Sequence, residues 1–277
     1  MRDEPFVNLN LFGRRNFLVA AVLAAVTGVG LYGCSFLLPL YLAQVAGYTP
    51  GQIGEVIMWA GLPQLLVMPV AAKLTSKIDN RILGSIGLAL FGTSCMMNVN
   101  LDATTGRDQL MMSQIVRALG QPFIMLTIAN FALAGVAPSD TASASSLYNM
   151  IRNLGGSVGI ALLSTTLTNR EHFHSARIGE AISLYAPATQ ERIDQLADAL
   201  LSRGVEAAAA ANQALEVVSK IVRREAYVMA YNDSFWTVGV IFFCCIGVLW
   251  FADNVKAPSR DGPTAKPASP MVAEQPS

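Results

Sequence analysis

The sequence has few charged side chains, and this scarcity excludes the common soluble classes. Only 14% of its 277 residues are Asp, Glu, Lys or Arg, whereas 53% are hydrophobic and the mean hydropathy is +0.44. A soluble domain carries about 25% charged residues. The 19 basic residues are balanced by 19 acidic ones, so the chain lacks the basic excess that nucleic-acid binding requires. We therefore expect a membrane protein with no nucleic-acid partner.

Cysteine and histidine are also scarce, and their positions argue against a disulfide framework and a metal centre. The 4 cysteines lie within apolar runs and lack the spacing of zinc ligands. His172 and His174, with Glu171, could suggest a metal site, but no further ligand lies near them in the sequence. We interpret them as surface residues and predict no metal and no other cofactor.

Long stretches without charge indicate membrane spans, because a charged side chain at the bilayer centre costs at least about 2.5 kcal/mol. A transmembrane helix needs about 20 mainly apolar residues. The pattern predicts an all-α, polytopic membrane protein with six transmembrane helices. The predicted spans are residues 17–46, 51–72, 82–101, 111–136, 143–167 and 233–252.

Two prolines predict local features of the first two spans. The first span is longer than a hydrocarbon core of about 30 Å requires, so it must tilt or bend, and Pro39 is the natural place. Thr49, Pro50 and Gln52 have the pattern of a capping box with proline at the first helical position. We therefore expect a tight hairpin whose second helix begins at Pro50.

The distribution of Lys and Arg predicts the orientation in the membrane. Basic residues occur at the N-terminus, between the second and third spans and in the C-terminal tail, whereas the short loops of the other side contain only Arg107. By the positive-inside rule, both termini are cytoplasmic. The predicted organisation is a cytoplasmic juxtamembrane segment (1–16), five spans with short loops (17–167), a long outer loop (168–232), the sixth span (233–252) and a disordered cytoplasmic tail (253–277).

The long outer loop has a helical pattern of its own. Apolar residues recur at helical spacing from Ile193 to Leu201, Gly204 is a plausible stop, and a second helix from Val205 runs towards the sixth span. One interpretation is a helical hairpin that lies over the mouth of the bundle. The other is a docking surface for a partner protein.

Arg152 is the strongest local signal of a functional site. It lies about ten residues into the fifth span, too deep to snorkel easily, so it should face the bundle interior or a water-filled cavity. Arg152 and Asn149 could line a substrate or proton route, or Arg152 could be a structural anchor bonded to a neighbouring helix. Gly155, Gly156 and Gly159 follow on the next turns and should let another helix approach closely.

Other polar residues of the spans are weaker candidates for the same route. Arg117 lies near its helix start, which favours snorkelling or a structural role over transport. Glu55 suits the positive end of a helix dipole, and the alternative is a titrating site reached from outside. The hydroxyl and amide side chains of the spans could contact a ligand or form interhelical hydrogen bonds; they are Tyr32, Gln44, Gln64, Gln121 and Asn130.

Several segments in combination resemble the fourteen-helix drug:proton antiporters of the major facilitator superfamily, the EmrB/QacA type. Residues 145–159 are similar to the signature of the penultimate helix of that family. Residues 9–17 resemble the segment before its ninth helix, residues 38–50 the next hairpin, and residues 117–120 a motif of its twelfth helix. At Ala118 the family more often has glycine.

The resemblance implies the C-terminal half of an EmrB-like exporter. Such carriers use the proton gradient to export hydrophobic or amphipathic compounds by alternating access between two helical halves. The implied location is the bacterial inner membrane. The implied partners are the missing N-terminal half, the lipid bilayer, small hydrophobic substrates and, in two-membrane bacteria, a periplasmic adaptor (a membrane fusion protein) with an outer-membrane channel.

The resemblance also implies that different parts of the carrier have different roles. The loop over residues 168–232 is the natural candidate for adaptor contact, and the carboxylates of proton coupling belong mainly to the missing half. We expect a C-terminal fragment, and the alternative is a non-transporting remnant or scaffold that binds the adaptor. An intramembrane enzyme has little support, because no Ser/His or metal pair falls on facing spans.

Overall fold

The computed structural model describes residues 12–102, 105–182 and 187–253, and all regular secondary structure within them is helical. The all-α prediction is therefore confirmed for these residues, whereas residues 254–277 of the predicted disordered tail lie outside them. The helices are α1 (Arg15–Gln44), α2 (Pro50–Thr75), α3 (Asn80–Met97), α4 (Arg107–Leu133), α5 (Thr141–Ala181), α6 (Pro187–Leu201) and α7 (Ala207–Leu249).

Four helices, α1, α2, α4 and α7, are long and apolar enough to cross a membrane. The predicted spans over 82–101 and 143–167 correspond to α3 and α5, which are not among the four. Helix α3 has only 18 residues and opens with Asn80 and Arg81, and α5 carries Arg152 between polar neighbours. The absence of charge therefore predicts six spans, whereas the criterion of high mean hydropathy accepts four of the described helices.

The helix boundaries follow the sequence closely at the first hairpin. Helix α2 begins at Pro50, and the backbone N–H of Thr49 donates a hydrogen bond to Gln52 Oε1 at 2.9 Å. The reverse bond of the capping box, to the side chain of Thr49, is also present. The two bonds satisfy backbone N–H donors that a helix start otherwise leaves unpaired. The predicted capping box is confirmed. Pro39 lies inside a continuous α1.

The helices of the bundle pack in two groups around α1 and α4. Helix α1 packs mainly against α5, and α4 packs against α3 and α2. Helix α7 lies against α5, α3 and α1, and the rings of Phe91 (α3) and Phe242 (α7) stack at 4.2 Å between centroids. Helix α2 has few buried side chains, and Leu65 and Leu66 are 73% and 76% exposed.

The contact between α1 and α5 is made backbone to backbone. A Cβ atom on Gly155 would lie 2.3 Å from the carbonyl oxygen of Ala25, and one on Gly159 would lie 2.6 Å from Val29 Cα. Such distances leave no room for a side chain, so the small residues are what allow the approach. The helix that packs against the glycines of α5 is therefore α1.

At one end of the bundle, residues near the beginning of the described ranges lie close to residues near their end. Arg14 donates a hydrogen bond to the carbonyl oxygen of Gly135, and the backbone N–H of Asp253 donates to Asn16 Oδ1 at 2.7 Å. Asn130, near the end of α4, donates to Asn80 Oδ1 at the start of α3. The basic segment between α2 and α3 therefore leads into the same end as Arg14.

The opposite end is tied together by side chains of α1 and α7. Tyr231 Oη donates to Gln44 Oε1 at 2.9 Å, and Tyr41 Oη donates to the carbonyl oxygen of Asp102 at 2.7 Å. Asn232 exchanges two hydrogen bonds with the backbone of Leu101. These bonds hold the loop after α3 against the middle of α7.

Beyond this end, α5 and α7 continue without interruption past the predicted span limits. Helix α5 extends to Ala181 and α7 starts at Ala207, and α6 packs against α7. We call residues 168–182 and 187–232 the outer segment. It is built on the extensions of α5 and α7, so α6 is attached to the side of a long helix.

Candidate functional site

A pocket of about 280 Å³ lies between α1, α4 and α5. Leu31 and Ser35 on α1 are four residues apart, as are Gln121 and Met125 on α4, so each pair shares one face of its helix. Tyr32 of α1 also lines the pocket. Helix α5 contributes the arginine. The lining residues are Leu31, Tyr32, Ser35, Gln121, Met125 and Arg152.

Arg152 enters this pocket without a carboxylate partner. Its side chain is partly buried, and Nη1 lies 3.1 Å from Met125 Sδ, a weak acceptor. Within the three described ranges, no Asp or Glu lies at ion-pair distance from Arg152. A guanidinium has five N–H donors, so the pocket has a positive charge and donors available to a ligand or water.

Tyr32 is positioned beside Arg152 by α5. Its Oη donates to Asn153 Oδ1 at 3.0 Å. A Cβ atom on Gly156 would come within 2.2 Å of Tyr32 Cδ2, so the tyrosine ring occupies the space that glycine leaves open. The geometry of the pocket thus depends on Gly156 as well as on the polar side chains.

The remaining predicted candidates lie outside this pocket. Asn149 Nδ2 donates to the carbonyl oxygen of Ser145 on its own helix, and Asn130 bonds to Asn80. Gln64 lines a different pocket on the open face of α2, beside Met58 and Leu65. Tyr32, Gln121 and Arg152 are therefore the three residues of the predicted set that line one pocket.

Glu55 was expected to suit the positive end of a helix dipole, and in the structure it also forms an ion pair. Its Oε2 lies 2.8 Å from Arg107 Nη1, and both side chains are about half exposed. The pair joins the first turns of α2 to the beginning of α4. An exposed pair of this kind contributes roughly 0–1 kcal/mol to stability.

Arg117, for which the sequence favours snorkelling or a structural role over transport, has its side chain packed inside the bundle. The residue is 8% exposed, and its Nε has no hydrogen-bond partner. It interacts electrostatically with Cys34 of α1 and Cys95 of α3. The position of a residue along a span predicts its depth in the membrane but not the face on which it lies.

A second polar cluster joins α5 to α7 at the base of the outer segment. Arg170 Nε and His174 Nε2 lie 2.6 Å and 2.7 Å from Asp233 Oδ2. Glu171, expected at the surface, has a side chain only 6% exposed and lies 3.6 Å from Arg223 Nε. Only His172 is exposed as expected. Among the described residues, no group of three or more His, Cys, Asp or Glu side chains could hold a metal ion.

The sequence did not reveal the less polar residues of the pocket or the hydrogen-bond partners that lie on different helices. Met125 lies four residues after Gln121, and Ser35 lies three after Tyr32, so helical spacing from a named candidate could have found both. No such signal connects Asp233 to Arg170, which is 63 residues away in the chain.

The comparisons with known proteins agree with this architecture. Residues 2–160 match the model of the Major Facilitator Superfamily. The chain is 28% identical to the colistin resistance protein EmrB of Acinetobacter baumannii, over 92% of this chain and 49% of that protein. It is 30% identical to the multidrug export protein EmrB of Haemophilus influenzae, over 90% of this chain and 48% of that protein.

A third relative carries a different name. The chain is 26% identical to the fatty acid resistance protein FarB of Neisseria gonorrhoeae, over 93% of this chain and 49% of that protein. The chain therefore spans about half the length of the curated relatives it matches.

Proposed function

The chain belongs to the major facilitator superfamily, and from this premise we propose that it forms the C-terminal half of a proton-driven multidrug exporter of the EmrB type. The family and the relatives are transporters, so the protein is not an enzyme. The observation that carries the proposal is the pocket between α1, α4 and α5, where Arg152 stands among membrane helices without a carboxylate partner. Ionisable groups at membrane depth are typical of transport pathways.

Six helices of this half cross the membrane in our proposal. Helix α3 packs between α4 and α7, and α5 packs between α1 and α7. Since α1, α4 and α7 are themselves long and apolar enough to span, helices enclosed by them would cross the same bilayer. The basic end with Arg14 faces the cytoplasm of the bacterium, both termini are cytoplasmic, and the outer segment is periplasmic.

The missing N-terminal half covers an apolar face of this bundle. Met150, Leu154, Val158 and Leu162 recur every four residues on α5 and are exposed. They form one stripe along the helix that contributes Arg152. The remaining exposed apolar residues, including Leu65 and Leu66 on α2, face lipid or the other half. Alternating access would then open the pocket to each side of the membrane in turn.

The charge of the pocket favours amphipathic compounds with an acidic or electron-rich group. A carboxylate can accept two parallel hydrogen bonds from a guanidinium, and Arg152 has no such partner in the part of the chain that the structure describes. The name of the fatty acid resistance relative supports the same class. The transported compounds in this proposal are small and hydrophobic apart from that group.

Joint expression of the two halves tests the proposal. Cells that produce this chain with the N-terminal half of an EmrB-type exporter are expected to resist amphipathic drugs, whereas cells with either half alone are not. Resistance from this chain alone would contradict the half-carrier proposal. The absence of resistance in every arm, with both halves abundant in the membrane, would favour a scaffold.

The periplasmic adaptor binds the outer segment in this proposal and connects the carrier to an outer-membrane channel. Val217 and Ile221 are exposed, lie four residues apart on α7 and share one face. Their replacement by glutamate should abolish co-purification of the adaptor with this chain. The control is Glu216→Gln on the same helix turn. Equal co-purification by both variants would place the contact elsewhere.

A further inference from the structure

Two cysteine thiols lie in contact inside the bundle, and neither residue lines the pocket of Arg152. Cys34 Sγ on α1 and Cys95 Sγ on α3 are 3.7 Å apart. Both thiols are free, and the two residues are 2% and 1% exposed. They come from different helices, so the fold brings together two reactive groups that are 61 residues apart.

Arg117 from α4 completes this cluster. It is buried, its Nε lacks a hydrogen-bond partner, and it interacts electrostatically with both thiols. Across the described ranges, no Asp or Glu forms an ion pair with it. A guanidinium stays charged in proteins and is costly to bury alone. As an S–H bond breaks, the guanidinium can stabilise the negative charge that develops on the sulfur.

The distance between the sulfurs suits one atom bound to both. Two thiolates bound at about 2.3 Å to a tetrahedral centre stand about 3.8 Å apart. A structural zinc site needs four ligands, and no third or fourth His, Cys, Asp or Glu of the described residues joins these two. A thiophilic centre that is satisfied by two sulfurs and one carbon needs no further protein ligand, and trivalent arsenic with one organic group is such a centre. Its pyramidal geometry requires the two sulfurs to move slightly closer together than they lie in the reduced protein.

The pocket of Arg152 provides a route for a small apolar reagent. Its lining residue Leu31 lies one turn from Cys34 on α1, and Gln121 lies one turn from Arg117 on α4. A compound that enters the pocket therefore comes within about one helical turn of the dithiol. A rearrangement of side chains, without a change of fold, would bring it to the sulfurs.

We propose that Cys34 and Cys95 form a dithiol site for monosubstituted trivalent arsenicals. An aryl arsenoxide reacts with the two thiols by exchanging its arsenic–oxygen bond for two arsenic–sulfur bonds. The two S–H bonds break, and their hydrogens leave with the oxygen as one water molecule. Arsenic stays trivalent, so no oxidant is needed. The product ties α1 to α3.

The test uses the whole chain, purified under reducing conditions in detergent, with phenylarsine oxide as the probe. Cys244 and Cys245 are first replaced by serine, so that the protein retains only the two thiols of the site. After treatment and removal of excess reagent, the protein is unfolded and its free thiols are counted with N-ethylmaleimide. The expected result is that one equivalent of arsenical blocks both thiols and that dimercaptopropanol restores both.

Two comparisons distinguish a dithiol site from single-cysteine reactivity. Cys34→Ala and Cys95→Ala should each lose the arsenical during a wash with a monothiol, because one arsenic–sulfur bond exchanges readily. Arg117→Gln should slow the reaction by about tenfold, since the neighbouring cation favours the thiolate.

The decisive control compares folded protein with protein that was unfolded before treatment. Because it uses no substitution at Cys34, Cys95 or Arg117, the comparison remains valid even where one of those variants fails to fold. Blocking of both thiols by one equivalent only in the folded protein supports the site. Two free thiols in the treated folded protein, or retention of the arsenical by either alanine variant at the level of the protein with both thiols, would overturn the proposal.

Discussion

Arg152 is the residue on which the transport proposal depends most. Its neighbours are a thioether, an amide and two hydroxyl groups, so its charge is available to whatever enters the pocket. Its one hydrogen bond within the described residues goes to the sulfur of Met125 on α4 rather than to a backbone carbonyl. Substitution of Arg152 therefore tests whether the residue serves the pathway or anchors its helix.

Replacement of Arg152 by alanine should lower transport of an acidic amphipath by about tenfold or more, with unchanged abundance in the membrane. A hydrogen bond to a charged group contributes about 1.5–3 kcal/mol, and 1.4 kcal/mol is a factor of ten. Arg152→Lys, which keeps the charge, should retain part of the activity.

Transport rates normalised to membrane abundance check this expectation, in cells that also produce the N-terminal half. Arg203→Ala is the matched control, because Arg203 lies exposed in the turn between α6 and α7. Loss of abundance without loss of transport per molecule would assign Arg152 a structural role.

The pairing of α1 with α5 is the element of structure that shapes the pocket. Both helices contribute to the lining, and their close approach depends on small residues such as Gly155. Gly179, on the same helix, has open space where its Cβ would lie. Substitution of the two glycines therefore compares a closely packed position with an open position on the same helix.

Gly155→Ala should lower the thermal stability of the purified protein, whereas Gly179→Ala should leave it unchanged or raise it. The new Cβ at residue 155 would displace α1 at a cost of roughly 1–3 kcal/mol. At residue 179 the substitution only improves helix propensity, by roughly 0.5–1 kcal/mol. Thermal unfolding in detergent, followed by circular dichroism, measures both. Equal stability of the two variants would contradict the packing role of Gly155.

Features encoded within one helix were predictable from the sequence, and features between helices were not. The capping box at Thr49 depends on residues three apart, and the small residues of α5 reveal a close contact without naming the partner helix. The partners of Tyr32 and Asp233 lie 121 and 63 residues away, and periodicity contains no information about them. The burial of Arg117 was not predictable, because the depth of a residue along a span does not specify the face on which it lies.

At the scale of the whole molecule, the bundle exposes apolar surface and a partly open pocket. Charged side chains gather at its two ends and in the outer segment, and the helices between them contain two arginines that have no ion pair within the described residues. Low charge in the composition thus reflects a bilayer environment. The chain spans about half the length of the relatives EmrB and FarB, and the two-half carrier proposed above is tested at this scale.

Gradient-driven transport in proteoliposomes measures the activity of this half most directly. Vesicles with an acidic lumen would contain this chain, the N-terminal half of an EmrB-type exporter, or both, and the probe would be the amphipathic anion anilinonaphthalene sulfonate. Accumulation of the anion is expected only with both halves, and it should cease when a protonophore collapses the gradient. Accumulation by this chain alone, or accumulation by both halves that persists without the gradient, would contradict a proton-driven carrier built from two halves.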